Sequence, residues 1–246
     1  MERVFPLLFM LMWSNFFDDQ PSKNKDEFAK VVWAVKPDGF GSAHIGGKEY
    51  VTAMLPVKVR TGILLHSTQT REELDEAFKL KSLEERKNKL EARLKELEKL
   101  VGKTRDDSSL DEIVDEMIRL AKEVDSISEA VYSPPAVAEG VLTTKGPLPG
   151  PLLFAGSIRP HDPKGKDKLL PLGTAIVEGK ADAGHRGKDG LRSLRIRNGD
   201  TPILVTGRVP PAPVEMGRRI RVQGELRLVG GKRLIIDAHK VEFVSQ

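Results

Sequence analysis

The chain has 246 residues, and its hydrophobic content of 39% is enough for one large domain or for two to three small cores. It contains no cysteine, which excludes disulfides, thiolate metal sites and cysteine nucleophiles. The formal net charge is +4, but residues 151–246 hold 18 Lys and Arg against 10 Asp and Glu. We therefore expect an anionic partner to bind the C-terminal part.

The first predicted segment is an N-terminal tail, residues 1–29. Its apolar run VFPLLFMLMW is too short for a membrane-spanning helix, which needs about 20 residues, and it lacks a signal-peptide cleavage site. We expect the run to fray or dock on a partner; a membrane-touching anchor and a start codon placed too early are the alternatives. A cytoplasmic location fits, and the Glu-, Lys- and Arg-rich helices would suit a thermophile.

A small β unit is predicted over residues 30–68. Short apolar runs alternate there with the turn sequences DGFG, IGG and RTG, which is typical of three short strands. Such a unit is too small to bury much apolar surface alone.

An antiparallel helical hairpin is predicted over residues 70–132. Apolar residues follow 3,4 spacing in two series, with Lys87 taking the remaining place in the first, as in a coiled-coil seam. A helix from about 72 to 101 would end at Gly102, and Ser109 with Glu112 would form the capping box of the next. The hairpin predicts oligomerisation or partner docking; packing on the β unit is the alternative. The two series are Leu80, Leu83, Leu90, Leu94, Leu97, Val101 and Leu110, Ile113, Met117, Leu120, Val124, Ile127, Val131.

Residues 133–171 are rich in proline and glycine, which predicts a linker and a domain boundary; strands at the apolar fragments GVL and LLFAG are the alternative. Five strands are predicted after it, over 174–183, 191–198, 201–209, 218–229 and 232–244. In the fourth, apolar and polar residues alternate from Arg219 to Leu228; in the second, Leu194 and Ile196 alternate with Arg195 and Arg197. One face is expected in the core and the opposite face in solvent.

The segments EGKADAG, LRIRNGDTPILVTGRV and GRRIRVQGELRLVGGKRLIIDAHKVEFV resemble OB domains of the replication-protein-A-like and anticodon-binding-like families. The resemblance covers residues 172–246 and departs from the pattern in having no helix between the third and fourth strands. The fold class expected is thus α+β multidomain: a small β unit, a long helical hairpin and a five-stranded OB-like barrel.

In an OB-fold the second and third strands form the binding face, flanked by the loops between strands 1 and 2 and between strands 4 and 5. The resemblance therefore implies a cationic groove for single-stranded DNA or RNA. Its candidate nucleic-acid-binding residues are His185, Arg186, Lys188, Arg195, Arg197, Lys232 and Arg233. Residues 151–246 have only Phe154 and Phe243 as aromatic residues, so base stacking would depend on arginine guanidinium planes or on Trp33, Phe40 and Tyr50 of the N-terminal unit, whose positions are more typical of core or turn residues.

No catalytic, metal or cofactor site is predicted. The five histidines show no metal-ligand spacing, and GTAIVEGK has five residues between its glycines where a phosphate loop has four. The leading hypothesis is a non-enzymatic nucleic-acid-binding protein without a small-molecule substrate. The alternative is an assembly adaptor with the layout of membrane-fusion adaptors, in which YSPPAVAEGVLTTKG would complete a lipoyl-like unit.

Overall fold

The computed structural model describes residues 30–45, 48–58, 61–103, 107–144, 150–186, 192–210 and 214–244. The predicted tail, residues 1–29, lies outside the described residues. The chain divides into two compact units: Asp75–Pro134 is one, and the chain before and after it forms the other. No helix in the described ranges is long and apolar enough to cross a membrane.

Eleven strands and three helices form the described part of the chain, which agrees with the predicted α+β class. In chain order they are β1 (Lys30–Val35), β2 (Phe40–Ile45), β3 (Lys48–Lys58), β4 (Thr61–Thr70), α1 (Arg71–Phe78), α2 (Leu80–Val101), α3 (Asp107–Tyr132), β5 (Ala136–Thr143), β6 (Leu152–Pro160), β7 (Thr174–Arg186), β8 (Arg192–Asn198), β9 (Thr201–Gly207), β10 (Arg219–Val229) and β11 (Arg233–Phe243).

Strands β7 to β11 form a closed five-stranded barrel. Their order is β7-β8-β9-β11-β10, and β10 returns to pair with β7. Neighbours are antiparallel except for β9 and β11, which are parallel. This order with one parallel pair is that of an OB-fold, and the five predicted strands are confirmed to within three residues at each end. The described residues between β9 and β10, 208–210 and 214–218, form no helix, as expected.

The barrel closes with a large stagger between its strands. Starting at Leu228, the opposed residues are Leu234, Ile203, Ile196 and Ala181 on successive strands. The amide of Ala181 then donates to the carbonyl of Arg218 at 2.8 Å. A path that follows opposed residues once around the barrel therefore starts at residue 228 of β10 and comes back to β10 near residue 218. This offset of ten residues requires strongly tilted strands. Apolar side chains at alternate positions fill the interior and are at most 2% exposed: Leu194, Ile196, Ile203, Val205, Ile220, Val222, Leu226, Leu234 and Ile236.

Strands β1 to β6 repeat the same order. The sheet runs β2-β3-β4-β6-β5-β1, and β4 is parallel to β6. In the C-terminal barrel, one part of β7 pairs with β10 and another part pairs with β8. Strands β1 and β2, which are separated only by residues 36–39, take the places of these two parts. Strand β1 pairs with β5, the counterpart of β10, and β2 pairs with β3, the counterpart of β8. The N-terminal strands thus form a second OB-like arrangement, and the helices lie between its third and fourth strands.

A glycine occupies the same place in both arrangements. Gly140 in β5 and Gly224 in β10 each follow a register shift against the neighbouring strand. A Cβ atom at Gly140 would lie 2.0 Å from the carbonyl oxygen of Phe154, and one at Gly224 would lie 2.2 Å from that of Asp237. Only glycine therefore allows these bulged strands to approach their partners so closely.

The prediction of a linker over residues 133–171 was wrong, because β5 and β6 lie within it. Prolines flank these strands and do not interrupt them: Pro135 precedes β5, and Pro151 precedes β6. Both strands complete the N-terminal sheet, so the β unit predicted over residues 30–68 is larger than expected. Fragments such as GVL and LLFAG are strand segments of this sheet.

The connection from β6 to β7 is held by a buried ion pair. Arg159 donates two hydrogen bonds to Asp167, at 2.6 and 2.7 Å, and the Asp167 side chain is only 4% exposed. Asp167 also accepts a hydrogen bond from the amide of Asp162. The bonds from Arg159, above all, lower the pKa of Asp167 to about 2. This connection is therefore tied to the end of β6 by a specific polar contact.

We expect the acid sensitivity of the barrels to depend on Asp167. Its folded-state pKa is below its unfolded value, so it contributes stability above about pH 4, and the contribution is lost as the pH falls towards 2. The depression is worth about 2 kcal/mol at neutral pH. Urea unfolding of Asp167→Asn should show a loss of this size at pH 7 that shrinks at pH 2. Equal loss at both pH values would contradict this, and exposed Glu215→Gln provides the control.

The helical unit is an antiparallel hairpin of α2 and α3. Arg86 pairs with Glu123 at 2.5 Å, and Arg93 pairs with Glu116 at 3.2 Å. Residue numbers rise along α2 as those of the partners fall along α3, so the two helices are antiparallel. Both predicted apolar series are buried or half-buried along the two helices. Leu97 and Leu120 are 1% and 6% exposed. The predicted seam residues therefore pack the hairpin together.

The single helix predicted from about 72 to 101 was wrong in one respect. Lys79 has φ 55°, in the left-handed region, and separates α1 from α2. The second helix also begins at Asp107, two residues before the predicted cap at Ser109. Helix α2 ends at Val101 and is followed by Gly102, as predicted.

We expect Leu97→Ala to destabilise the hairpin by about 2–4 kcal/mol, because it leaves a cavity in the seam. Thermal unfolding followed by circular dichroism at 222 nm would measure the change. Leu100→Ala is the matched control, since Leu100 lies on the same helix and is 43% exposed. Equal effects of the two substitutions would show that Leu97 is not a seam residue.

Candidate nucleic-acid interface

The outer face of β8 carries two arginines. Leu194 and Ile196 point into the core and are at most 1% exposed, so Arg195 and Arg197 point outwards. Their side chains are 52% and 50% exposed. The two guanidinium groups are thus presented to solvent by a strand whose other face is fixed in the barrel.

A carboxylate that the sequence analysis did not consider lies between these arginines. Asp182 on β7 is 2.8 Å from Nε of Arg195 and 3.4 Å from Nη2 of Arg197. One carboxylate shared by two guanidinium groups leaves a surplus positive charge and several N–H donors. The shared contact also orients the two arginines along β8. The sequence indicates this carboxylate only through the position of Asp182, an acidic residue at an outward position of the first barrel strand.

Arg233 lies one strand away from Arg197. Arg197 is opposite Pro202 on β9, and the next residue of β9, Ile203, is opposite Leu234 on β11. Because β9 and β11 are parallel, Arg233 lies beside Pro202. Two strand spacings of about 4.8 Å therefore separate the backbones of Arg197 and Arg233. The register therefore brings Arg233, at the end of the connection between the fourth and fifth barrel strands, next to the outer surface of β8 and β9. We call this surface, with Arg195, Arg197, Pro202 and Leu204, the β8–β9 face.

Lys232 directly precedes β11 and Arg233 is its first residue, after the turn that contains Gly230 and Gly231. Both side chains are exposed, and neither forms an ion pair with another described residue. Gly230 and Gly231 have φ of 61° and 69°, which β-branched or bulky residues rarely adopt. The turn thus places two cations at one end of the face.

The remaining candidate residues lie at the other end of β7 and beyond it. The backbones of His185 and Arg186 pair with Ser193 and Arg192 at the tip of the β7–β8 hairpin. Their side chains, and Lys188, lie outside the described part of the chain. The structure therefore shows where this hairpin leads but does not test whether those three side chains join the face.

The C-terminal end of β8, next to Arg197, is fixed by buried polar contacts. Asn198 is fully buried; its amide nitrogen donates to the carbonyl of Glu178 at 2.7 Å, and its Oδ1 accepts from the amide of Leu142 at 3.0 Å. In the same turn, Asp200 accepts hydrogen bonds from the side chain of Thr143 and the amide of Thr144. These contacts anchor the β8–β9 turn to β5 and restrict the movement of Arg197.

Aromatic side chains do not line the described part of this face. Trp33 is 1% exposed and belongs to the core. Facing outwards on β9, Pro202, Leu204 and Thr206 offer small apolar and polar surface. Phe243 is 41% exposed, with the guanidinium carbon of Arg218 at 4.3 Å from its ring centroid. Base stacking on the β8–β9 face would therefore depend on guanidinium planes.

One histidine of the N-terminal sheet is buried. His66 is 2% exposed and lies beside the rings of Tyr50 and Phe154, at centroid distances of 6.2 and 5.6 Å. Burial lowers its pKa to about 4, so it is neutral at physiological pH. No group of three or more His, Asp or Glu side chains within the described ranges could hold a metal ion.

Comparison with known proteins yields only distant structural similarity. No family model matches the chain, and no curated protein matches it in sequence. A solved structure described as "Crystal structure of the tetrameric p202 HIN2" is 13% identical, with coverage of 87% of this chain and 91% of the other and a TM-score of 0.22. Another, described as "Structural mimicry for functional antagonism", is 9% identical, with coverage of 90% and 98% and a TM-score of 0.24. Similarity this low carries no inference about function.

Proposed function

We propose that the chain is a non-catalytic nucleic-acid-binding protein that holds single-stranded DNA or RNA on the β8–β9 face of its C-terminal barrel. The observation that supports this most strongly is the placement of Arg197 and Arg233 on either side of β9. Arg195 lies on the same strand as Arg197, and Lys232 precedes Arg233. Cations from two separate segments of the sequence therefore share one surface.

Such a surface would bind phosphates mainly by electrostatic attraction. Each neutralised phosphate releases condensed counterions, so the affinity should fall steeply as salt increases. The shared contact with Asp182 offsets part of the charge, which favours exchangeable binding over a permanent complex. With no aromatic platform on the described face, binding would tolerate many base sequences.

The helical hairpin would join two copies of the chain. The seam residues are used inside the hairpin, so self-association requires another face. Val114 and Ile118 lie four residues apart on α3 and are 40% and 49% exposed, which forms an apolar stripe on the helix surface. Two linked barrels on one strand would gain avidity of about 100-fold or more.

The adaptor layout is not favoured by the described residues. The segment proposed to complete a lipoyl-like unit contains β5, and β5 pairs with β1 and β6 in an OB-like sheet. The hairpin is inserted within this sheet's chain order, between its third and fourth strands. No specific observation supports the alternative.

We expect Arg197→Gln combined with Arg233→Gln to weaken binding of labelled single-stranded DNA or RNA by on the order of 10-fold at low salt. Loss of two phosphate contacts should also reduce the slope of log affinity against log salt by about 1.4. Fluorescence anisotropy at several salt concentrations measures both quantities, and double-stranded probes test the preference for single strands.

The matched control is Lys166→Gln with Lys168→Gln. These two lysines are exposed on the connection between β6 and β7, and their replacement removes the same charge. The control should bind like the unaltered protein. If the arginine variant also binds like the unaltered protein, the β8–β9 face is not the binding surface.

We expect Ile118→Glu to lower the mass of the protein in light scattering, because a carboxylate in the stripe would oppose association. Ser126→Glu, at an exposed polar position of the same helix, should leave the mass unchanged. If neither substitution changes the mass, the hairpin does not join copies of the chain through this stripe.

A further inference from the structure

An arginine is stacked on an accessible phenylalanine at one end of the C-terminal barrel. The guanidinium carbon of Arg218 lies 4.3 Å from the ring centroid of Phe243. Phe243 is 41% exposed, and Arg218 is exposed as well. A guanidinium group over a ring face is attracted by the ring quadrupole, and it is planar and only weakly hydrated. The pair therefore offers aromatic and guanidinium surface to solvent at the same place.

Phe243 is accessible because it lies at the end of a strand. It is the last residue of β11 and is directly opposite Ile220 on β10. Directly opposed residues lie on the same face of a sheet, and Ile220 is fully buried in the barrel, so Phe243 is also on the inward side. An inward position at a strand end lies at the mouth of the barrel. The ring can therefore contact a ligand there without leaving its place in the sheet.

A bulge places Arg218 beside this ring. The amide of Gly217 donates to the carbonyl of Ala181, and the amide of Ala181 donates to the carbonyl of Arg218, both at 2.8 Å. Two residues thus oppose one, and Gly217 has φ of 81°, as the first residue of a glycine bulge does. Bulges change the direction of nearby side chains. The backbone at this mouth therefore fixes the position from which Arg218 covers the ring.

This mouth of the barrel is close to the β8–β9 face. Ala181, which bonds to Arg218, is opposite Ile196 on β8. Ile196 lies between Arg195 and Arg197, so two strand spacings, or about 10 Å, separate the backbone of Arg218 from this part of β8. Single-strand sites on barrels of this kind extend over about 4–16 nucleotides. A strand bound along the two arginines would therefore reach the mouth.

We propose that Phe243 and Arg218 form a base-stacking site, which takes a nucleobase of the single strand held on the β8–β9 face. The inference rests on the proposed function and adds a contact to the bases, whereas the arginines of the face bind phosphates. The base would stack on the accessible surface of the pair. Arg218 would hold the ring in position and donate hydrogen bonds from the edge of its guanidinium group to the neighbouring phosphate.

Such a site would not distinguish strongly between bases. Every base has an aromatic face, so stacking tolerates a change of sequence. The contribution would also depend little on salt, because it involves the base more than the phosphate charge. These two properties separate the stacking site from the β8–β9 face in experiments.

The test compares two labelled probes of about 12 nucleotides in anisotropy titrations of the full chain. One is an oligothymidine, and the other is an oligomer of the same length that lacks bases. Both carry the same phosphate charge, so they differ in what can stack. Phe243→Leu should weaken binding of the oligothymidine on the order of 10-fold and leave the base-free probe unaffected. The slope of log affinity against log salt should not change, because no phosphate is released.

Three further variants identify the cause of the loss. Phe243→Tyr keeps an aromatic ring and should keep the affinity for the oligothymidine. Arg218→Lys keeps the charge but removes the planar group, and should weaken the same probe about two- to fivefold. Tyr132→Leu replaces an aromatic residue of α3 that is 62% exposed, and should bind both probes like the unaltered protein.

The failure of this site can be distinguished from that of the proposed function. If the unaltered protein binds both probes equally, or if Phe243→Leu weakens both alike, the stacking site is refuted and the β8–β9 face stands. If Phe243→Tyr loses as much affinity as Phe243→Leu, altered packing explains the loss and the site is also refuted. If the unaltered protein binds neither probe at low salt, the site and the proposed function both fail.

Discussion

The parallel pairing of β9 with β11 is the contact on which the C-terminal structure depends. It closes a five-stranded sheet that would otherwise leave two exposed edges, and it sets the stagger that tilts every strand. The same pairing fixes the register of β11 against β8 across the intervening strand. Arg233 and Arg197 share a surface because of this register, although 35 positions separate them in the sequence.

The repeat of this order in β1 to β6 indicates that one topology was used twice in the chain. In both arrangements the fourth strand contains a glycine at a register shift, and in both the third and fifth strands are parallel. The N-terminal arrangement holds the three helices, Arg71–Phe78, Leu80–Val101 and Asp107–Tyr132, between its third and fourth strands. Because the entropic cost of closing a connection rises only slowly with its length, the hairpin adds a second compact unit without altering the strand pairing.

Charge on the outer surface of the barrel follows the pairing register. One row alternates acidic and basic residues across four strands, and the next places basic residues on three; the rows are Glu242, Arg221, Glu178, Lys30 and Arg219, Lys180, Arg197. Burial cannot account for the difference, since both rows face outwards where they cross β7 and β10. Near the arginines, Asp182 limits the local positive charge to what a single carboxylate leaves unpaired.

The sequence by itself determined the local features: the five C-terminal strands, from their period of two, and the helical seams, from their 3,4 spacing. These patterns are readable because each depends on neighbours within a few residues. It offered strands at GVL and LLFAG only as an alternative, because the prolines beside them are typical of a linker, and it gave no sign of the break at Lys79, which no glycine or proline marks. Only the tertiary structure decided that β1 to β6 form a second OB-like arrangement and that Arg197 and Arg233 lie on either side of β9. Strand order and register join residues far apart in the chain, and no local pattern encodes which strands will be neighbours.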